Sequence, residues 1–131
     1  MQIYDNEKNL IAIIVKAKEI KESKKFLTLP TEEFQFGSFN LKSSEVIQKH
    51  IHNKQERKIY NTSEALVVIS GKLEIDFYDN NMYFLEKHVL SPGDSILIIS
   101  GGHGIKILED CKFVEFKQGP YLENKDKVRF E

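Results

Sequence analysis

The sequence predicts an all-β domain, a sandwich or barrel of short antiparallel strands. Three observations carry this. From Glu64 onward apolar and polar residues alternate: Leu73, Ile75 and Phe77 interleave with Glu74, Asp76 and Tyr78, as in a strand with one buried and one wet face. Turn formers (Gly71-Lys72, Asp79-Asn80-Asn81, Pro92-Gly93-Asp94, Gly101-Gly102) recur between the apolar stretches at intervals typical of all-β folds. Across 131 residues there is no repeat, low-complexity stretch or Pro/Gly/Ser-rich linker, so a single domain is expected over residues 1–131.

Taken in order, Leu10–Ile20 fits a helix through Ile11, Ile14 and Val15 or a buried strand, and its β-branched residues favour the strand. Phe34–Leu41 and Glu45–His52 read as two strands joined across Lys42-Ser43-Ser44. Ala65–Ser70 and Leu73–Phe77 form a hairpin if Gly71-Lys72 makes a tight type II′ turn. Met82–Leu90 follows the Asp79-Asn80-Asn81 turn, and Ile96–Ile99 follows Pro92-Gly93-Asp94. Ile105–Leu108 and Lys112–Phe116 make a last hairpin around Glu109-Asp110. The charged tail after Tyr121, with Val128-Arg129-Phe130 as anchor, holds a short helix or strand.

Composition narrows the partners. Nineteen Lys and Arg against twenty Asp and Glu give a formal net charge of -1, which leaves no field to steer a polyanion, so nucleic acid is not expected. The apolar run Leu10–Val15 is far shorter than the ~20 residues of a membrane-spanning helix. Asp5 and Glu7 precede that run where a secretory signal would be basic. The single cysteine, Cys111, cannot form an internal disulfide, and a reducing cytoplasm is the expected compartment. A homodimer is expected, because a small barrel has edge strands and the apolar Leu10–Val15 segment to cover.

Candidate chemistry centres on the histidines. On a strand, His50 and His52 point to one face with backbones about 6.7 Å apart, so two imidazoles can converge on one ion. Glu64 shares a strand face with Leu66 and Val68, and a carboxylate on such a face calls for a cation. His103 follows Gly101-Gly102, where glycine allows a sharp turn and close approach.

His50-Ile51-His52, then Glu64 with six residues before Gly71, resembles the first motif of the cupin superfamily; Gly93-Asp94 followed by His103 resembles the second. The stretch from Phe26-Leu27-Thr28 through Arg57, Thr62-Ser63-Glu64, Gly101-Gly102-His103-Gly104 and Lys117-Gln118-Gly119-Pro120-Tyr121 is similar to a group of small single-domain bacterial cupins. The resemblance places motif 1 at about 50–71 and motif 2 at about 93–107. It implies a double-stranded β-helix, the cupin jelly-roll barrel, and a divalent ion (Zn, Fe, Mn, Ni or Cu) held by His50, His52, Glu64 and His103. Two departures stand out. Eleven residues separate His52 from Glu64 where three or four are usual, which makes Glu56 the competing carboxylate, although Glu64 alone keeps the six-residue gap to Gly71. The second motif carries Ile98 near its usual proline and Ile107 where asparagine is common.

Around this set, Lys117 and Glu115 lie two residues apart on one strand face and Tyr121 follows Gly119-Pro120. They supply an anion-binding lysine and a proton-carrying tyrosine, or else a rim ion pair and a packing aromatic. Gln48 shares the face of His50 and His52 as a pocket or supporting donor. Arg57 is a clamp for a carboxylate or phosphate, or a solvated loop charge. His88 reads as an edge histidine outside both motifs, and Cys111 as a small core filler. The expected function is that of a small metal-binding cupin acting on a polar metabolite such as a sugar or carboxylated compound. Isomerase, epimerase or lyase chemistry suits the open ligand positions, and iron would give a dioxygenase. The alternative is a non-catalytic ligand-binding or sensing module.

Overall fold

Branching at Cβ favours extended backbone in Leu10–Val15 over the helix that the same spacing allows, and the structure settles it as a strand. The computed structural model describes residues 1–123 and 125–131. Its strands are β1 (Gln2–Tyr4), β2 (Leu10–Val15), β3 (Lys24–Phe26), β4 (Gly37–Phe39), β5 (Glu64–Tyr78), β6 (Phe84–Leu90), β7 (Ser95–Ile98) and β8 (Gly102–Lys117). The protein is nearly all β: among the described residues the only helical turn is a 3-10 turn at Ala17–Glu19, and no helix is long and apolar enough to cross a membrane.

All pairings are antiparallel. The main sheet runs β1-β2-β7-β5-β6, with β8 along the other edge of β5, and β3-β4 form a separate two-stranded sheet. β2 lies between β1 and β7 with Ile11, Ala12, Ile13 and Ile14 all fully buried. This explains its unbroken apolar run, and it needs no second copy to cover it.

Two expected hairpins are instead one pair of long, bent strands. β5 continues through Gly71 and β8 continues through Glu109-Asp110, so that they pair from Glu64↔Lys117 to Tyr78↔Gly102. Register shifts between Val68 and Leu73 mark bulges in the middle. Gly71 has φ +74, and a Cβ there would collide with the Asp110 carbonyl oxygen. A bulge with a left-handed glycine and a hairpin turn use the same residues, so sequence chemistry alone could not separate them.

The bend divides β5 into two halves. Glu64–Val67 pairs with β7 and Leu73–Tyr78 with β6. Both halves feed one core, in which Leu66, Val68, Ile96 and Ile98 meet Leu73, Ile75, Phe77 and Leu90. Among the described residues the sheet does not close into a barrel: β8 pairs with β5 alone.

The turn Ser91–Asp94 ties β7 to the chain after β2. Asp94, 6% exposed, accepts from the backbone N–H of Ser91 (2.9 Å) and Ala17 (3.0 Å) and from Lys16 Nζ (2.9 Å). Glu45–His52, expected as a strand, is exposed coil. Its ladder is replaced by a local turn, in which Glu45 donates its N–H to the Lys42 carbonyl (3.0 Å) and accepts the Lys42 N–H at its carboxylate (2.6 Å). The described residues of the tail form turns rather than a regular element, and the tail is anchored by Phe130, whose ring stacks edge-on to Tyr78 at 5.1 Å.

Candidate functional site: a cross-linked acid-base cluster

Glu64 opens β5 with Ile98 of β7 on one side and Lys117 of β8 on the other. Residues directly opposite share a face, so the carboxylate lies on the core face at the end of the first half-sheet. His103 belongs to the second half, opposite Phe77. The two meet across the bend, with Glu64 Oε2 accepting from His103 Nε2 at 3.0 Å. Glu64 Oε1 faces Lys117 Nζ at 3.6 Å, and Lys117 reaches Asp126 Oδ2 of the tail at 3.2 Å. Lys117 Nζ also lies 4.9 Å from the centre of the Tyr121 ring, within cation-π range.

The result is a chain of alternating partners, His103–Glu64–Lys117–Asp126, whose side chains are 28%, 15%, 18% and 11% exposed in that order. It is shielded enough for charges to matter and open enough for a small molecule to reach His103. The hydrogen bond from His103 holds the Glu64 carboxyl below its ordinary range; burial opposes this, and the charges of His103 and Lys117 add to it. Asp126 pushes the Lys117 ammonium above its ordinary value, burial opposes it, and Glu64 and Glu115 reinforce it. Glu64 is therefore held ionised and Lys117 protonated. This geometry can bind a polar group and exchange a proton with it.

The expected site residues divide into two groups. Glu64, His103, Lys117 and Tyr121 come together as described. His50 and His52 stay with each other, their rings edge-on at 5.1 Å, in the exposed coil before Glu64. His50 Nδ1 hydrogen-bonds the Gln48 backbone carbonyl at 2.8 Å, so Gln48 contributes its main chain and not its side chain. Glu56 and Arg57 are exposed in the same coil. His88 of β6 bonds Glu86 at 3.1 Å, away from the cluster, and Cys111 packs against the core as a free thiol.

Among the described residues, no group of three or more His, Cys, Asp or Glu is placed to hold a metal ion. Glu64 and His103 satisfy one another, and the second Glu64 oxygen faces an ammonium. As placed, these donors do not fit a four-ligand divalent ion, which would need His50 and His52 beside Glu64 in place of Lys117.

Sequence reasoning missed Asp126 and Asp94. Asp126 is one charge among several in the tail, and only the return of Phe130 onto Tyr78 and Gly102 brings it to Lys117. Asp94 had a signal, a Pro-Gly-Asp turn with a carboxylate ready to cap backbone N–H groups. Beside the cluster, a small cleft is lined by Glu32, Glu33, Phe34, Asn61, Ser63 and Ile99, and Glu33 there accepts the N–H groups of Tyr60 (3.1 Å) and Asn61 (3.0 Å). Comparison of the chain with protein-family models, with curated proteins and with solved structures finds no match in any of the three.

Proposed function

We propose that the chain is a small cupin-like domain, of the double-stranded β-helix kind, that takes a polar metabolite such as a sugar or carboxylated compound at the Glu64–His103–Lys117 cluster. One observation carries the reading: an ionised carboxylate and an imidazole meet at 3.0 Å from opposite halves of a bent sheet while 15% and 28% exposed. Such a pair moves a proton to or from a hydroxyl or carbonyl of the ligand, as isomerase, epimerase and lyase chemistry requires. Lys117 holds an anionic group, and Tyr121 packs its ring beneath that ammonium. No step in this reading runs through a metal. The divalent ion that the cupin resemblance implies is a separate proposal, dependent on His50 and His52 coming to Glu64 and His103, and metal analysis of protein purified without a nickel column tests it.

A second reading, a non-catalytic binding or sensing module, has its own support: Glu64 and Lys117 already have protein partners, as in a site that holds a ligand by exchanging contacts rather than transforming it. A thermal-shift screen of sugars, sugar phosphates and hydroxy or keto acids tests the shared site. The expected result is a compound that raises the melting temperature of wild type and His88→Ala but not of Glu64→Gln. A compound whose effect survives Glu64→Gln binds elsewhere and overturns the assignment. Turnover of that compound, followed by proton NMR with Lys117→Met and His103→Gln as controls, separates the enzyme from the sensor.

A further inference from the structure

On the face of the second half-sheet turned away from the core, one carboxylate is left without a cation. Leu73, Ile75 and Phe77 point inward, so Glu74, Asp76 and Tyr78 between them share the opposite face. Register sets Lys106 of β8 and Val89 of β6 beside Glu74, Gly104 and Lys87 beside Asp76, and Gly102 and Phe84 beside Tyr78. Lys87 stands opposite Asp76, yet its ammonium goes to Glu74, 3.3 Å away. Asp76 Oδ1 is shut off from solvent and, among the described residues, accepts no hydrogen bond, while the residue as a whole is only half-buried. An acceptor in that state costs free energy that a donor brought to it would recover.

Space for a donor lies next to it. Two glycines of β8 belong to this face, and they differ in what fills the place of a side chain. At Gly102 a Cβ would meet Phe130 Cζ at 2.8 Å; at Gly104, among the described residues, it would meet nothing within 4 Å. The notch at Gly104 has Asp76 directly across from it. Two residues along β8 stands the Phe130 ring, edge-on to Tyr78 at 5.1 Å, and Phe84 packs on Tyr78 at 5.8 Å. Aromatic rings attract a cation, an apolar stem gains by lying against them, and Oδ1 calls for an N–H. A lone carboxylate falls short of the four ligands of zinc or the six or more oxygens of calcium, so an organic cation suits the notch better than a metal ion.

We infer that the Gly104 notch binds a primary alkylammonium group, with its N–H donors on Asp76 and its stem along Phe130 and Tyr78. A free amine and a lysine side chain of another protein present the same group. His103, next in sequence, lies opposite the core residue Phe77 and so on the other face. The notch is therefore separate from the Glu64–His103–Lys117 cluster, and the inference does not depend on that site.

Amide NMR titration of the full chain with butylammonium chloride, against tetramethylammonium chloride and sodium chloride at equal ionic strength, tests it. The expected result is a set of saturable shifts at Asp76, Gly104 and Phe130 with butylammonium, and binding about tenfold weaker or more for tetramethylammonium, which carries the charge without an N–H. Asp76→Asn should weaken butylammonium by about tenfold or more. Gly104→Val, which fills the notch with a residue suited to a strand, should abolish the shifts; if it does not fold, Gly104→Ala carries the same test with a smaller loss. Lys87→Met removes the nearest rival cation and should leave binding equal or tighter. Nα-acetyl-lysine methylamide in the same titration separates the sources: tighter binding than butylammonium assigns a lysine side chain, weaker binding a free amine. No saturable shift in wild type, or shifts that appear only in Lys87→Met, overturns the inference, since Lys87 is then the partner of Asp76. Binding unchanged in Asp76→Asn, or equal for tetramethylammonium, overturns it as well.

Discussion

Asp94 in the turn before β7 and Glu64 at the start of β5 are both shielded carboxylates facing a lysine, and they differ in what else holds them. Asp94 accepts two backbone N–H groups besides Lys16, and backbone donors cannot leave without unmaking the turn. Among the described residues, Glu64 is held by the tips of His103 and Lys117 alone, side chains that can exchange one partner for another at little cost. The difference separates a structural carboxylate from one available to a ligand, although each has its pKa lowered. A shifted pKa by itself does not mark a site; the nature of the donors does.

The largest effect that sharpens this contrast is expected at Asp94. Asp94→Ala strands the Lys16 ammonium and two backbone N–H groups, and should cost about 3 kcal/mol in urea unfolding. Glu64→Gln keeps the shape and one acceptor, so its cost should be nearer 1 kcal/mol, while binding of any compound found in the metabolite screen should be lost. Equal destabilisation by the two would break the distinction and make the Glu64–His103 link a strut between the half-sheets.

Acid should produce the next effect. Burial pushes the Asp94 carboxyl up, but the Ser91 N–H, Lys16 and the Ala17 N–H together outweigh it and hold the group below its ordinary value of 3.8. A carboxylate whose folded pKa is depressed contributes stability that is complete above the unfolded value and disappears as pH falls through the folded one. Wild-type stability should therefore decline below about pH 4. Asp94→Asn should flatten that decline and Glu64→Gln should flatten it less, because Asp94 accepts two backbone N–H groups besides its lysine whereas Glu64 has side-chain partners. Urea midpoints from acid to neutral pH measure both slopes. The smallest effect should come from His50→Ala and His52→Ala, each within about 0.5 kcal/mol of wild type, as for exposed residues without ladder or core contacts.

Much of the fold is legible in the sequence because period-two burial is a local property. Leu73, Ile75 and Phe77, and the β-branched run of β2, announce their faces without reference to any partner. Continuity is not local. Gly71-Lys72 and Glu109-Asp110 read as turns because a left-handed glycine and an acidic pair serve a hairpin or a bulge equally, and only the pairing of β5 with β8 along their full lengths decides between them. Glu45–His52 shows the converse: β-branched residues such as Val46, Ile47 and Ile51 make no strand without a partner edge. Glu64, His103 and Lys117 could be named in advance from strand faces and glycine placement, whereas Asp126 depends on where the tail returns, which no spacing encodes.

The ligand should meet the side-chain-held carboxylate and not the backbone-held one. An amide NMR titration with the compound giving the largest thermal shift tests it most directly. Shifts should concentrate at Glu64, His103, Lys117 and Asp126, with the Ser91–Asp94 turn unmoved. Shifts confined to residues 40–63, or spread around Asp94 and Lys16 with the cluster silent, would contradict it.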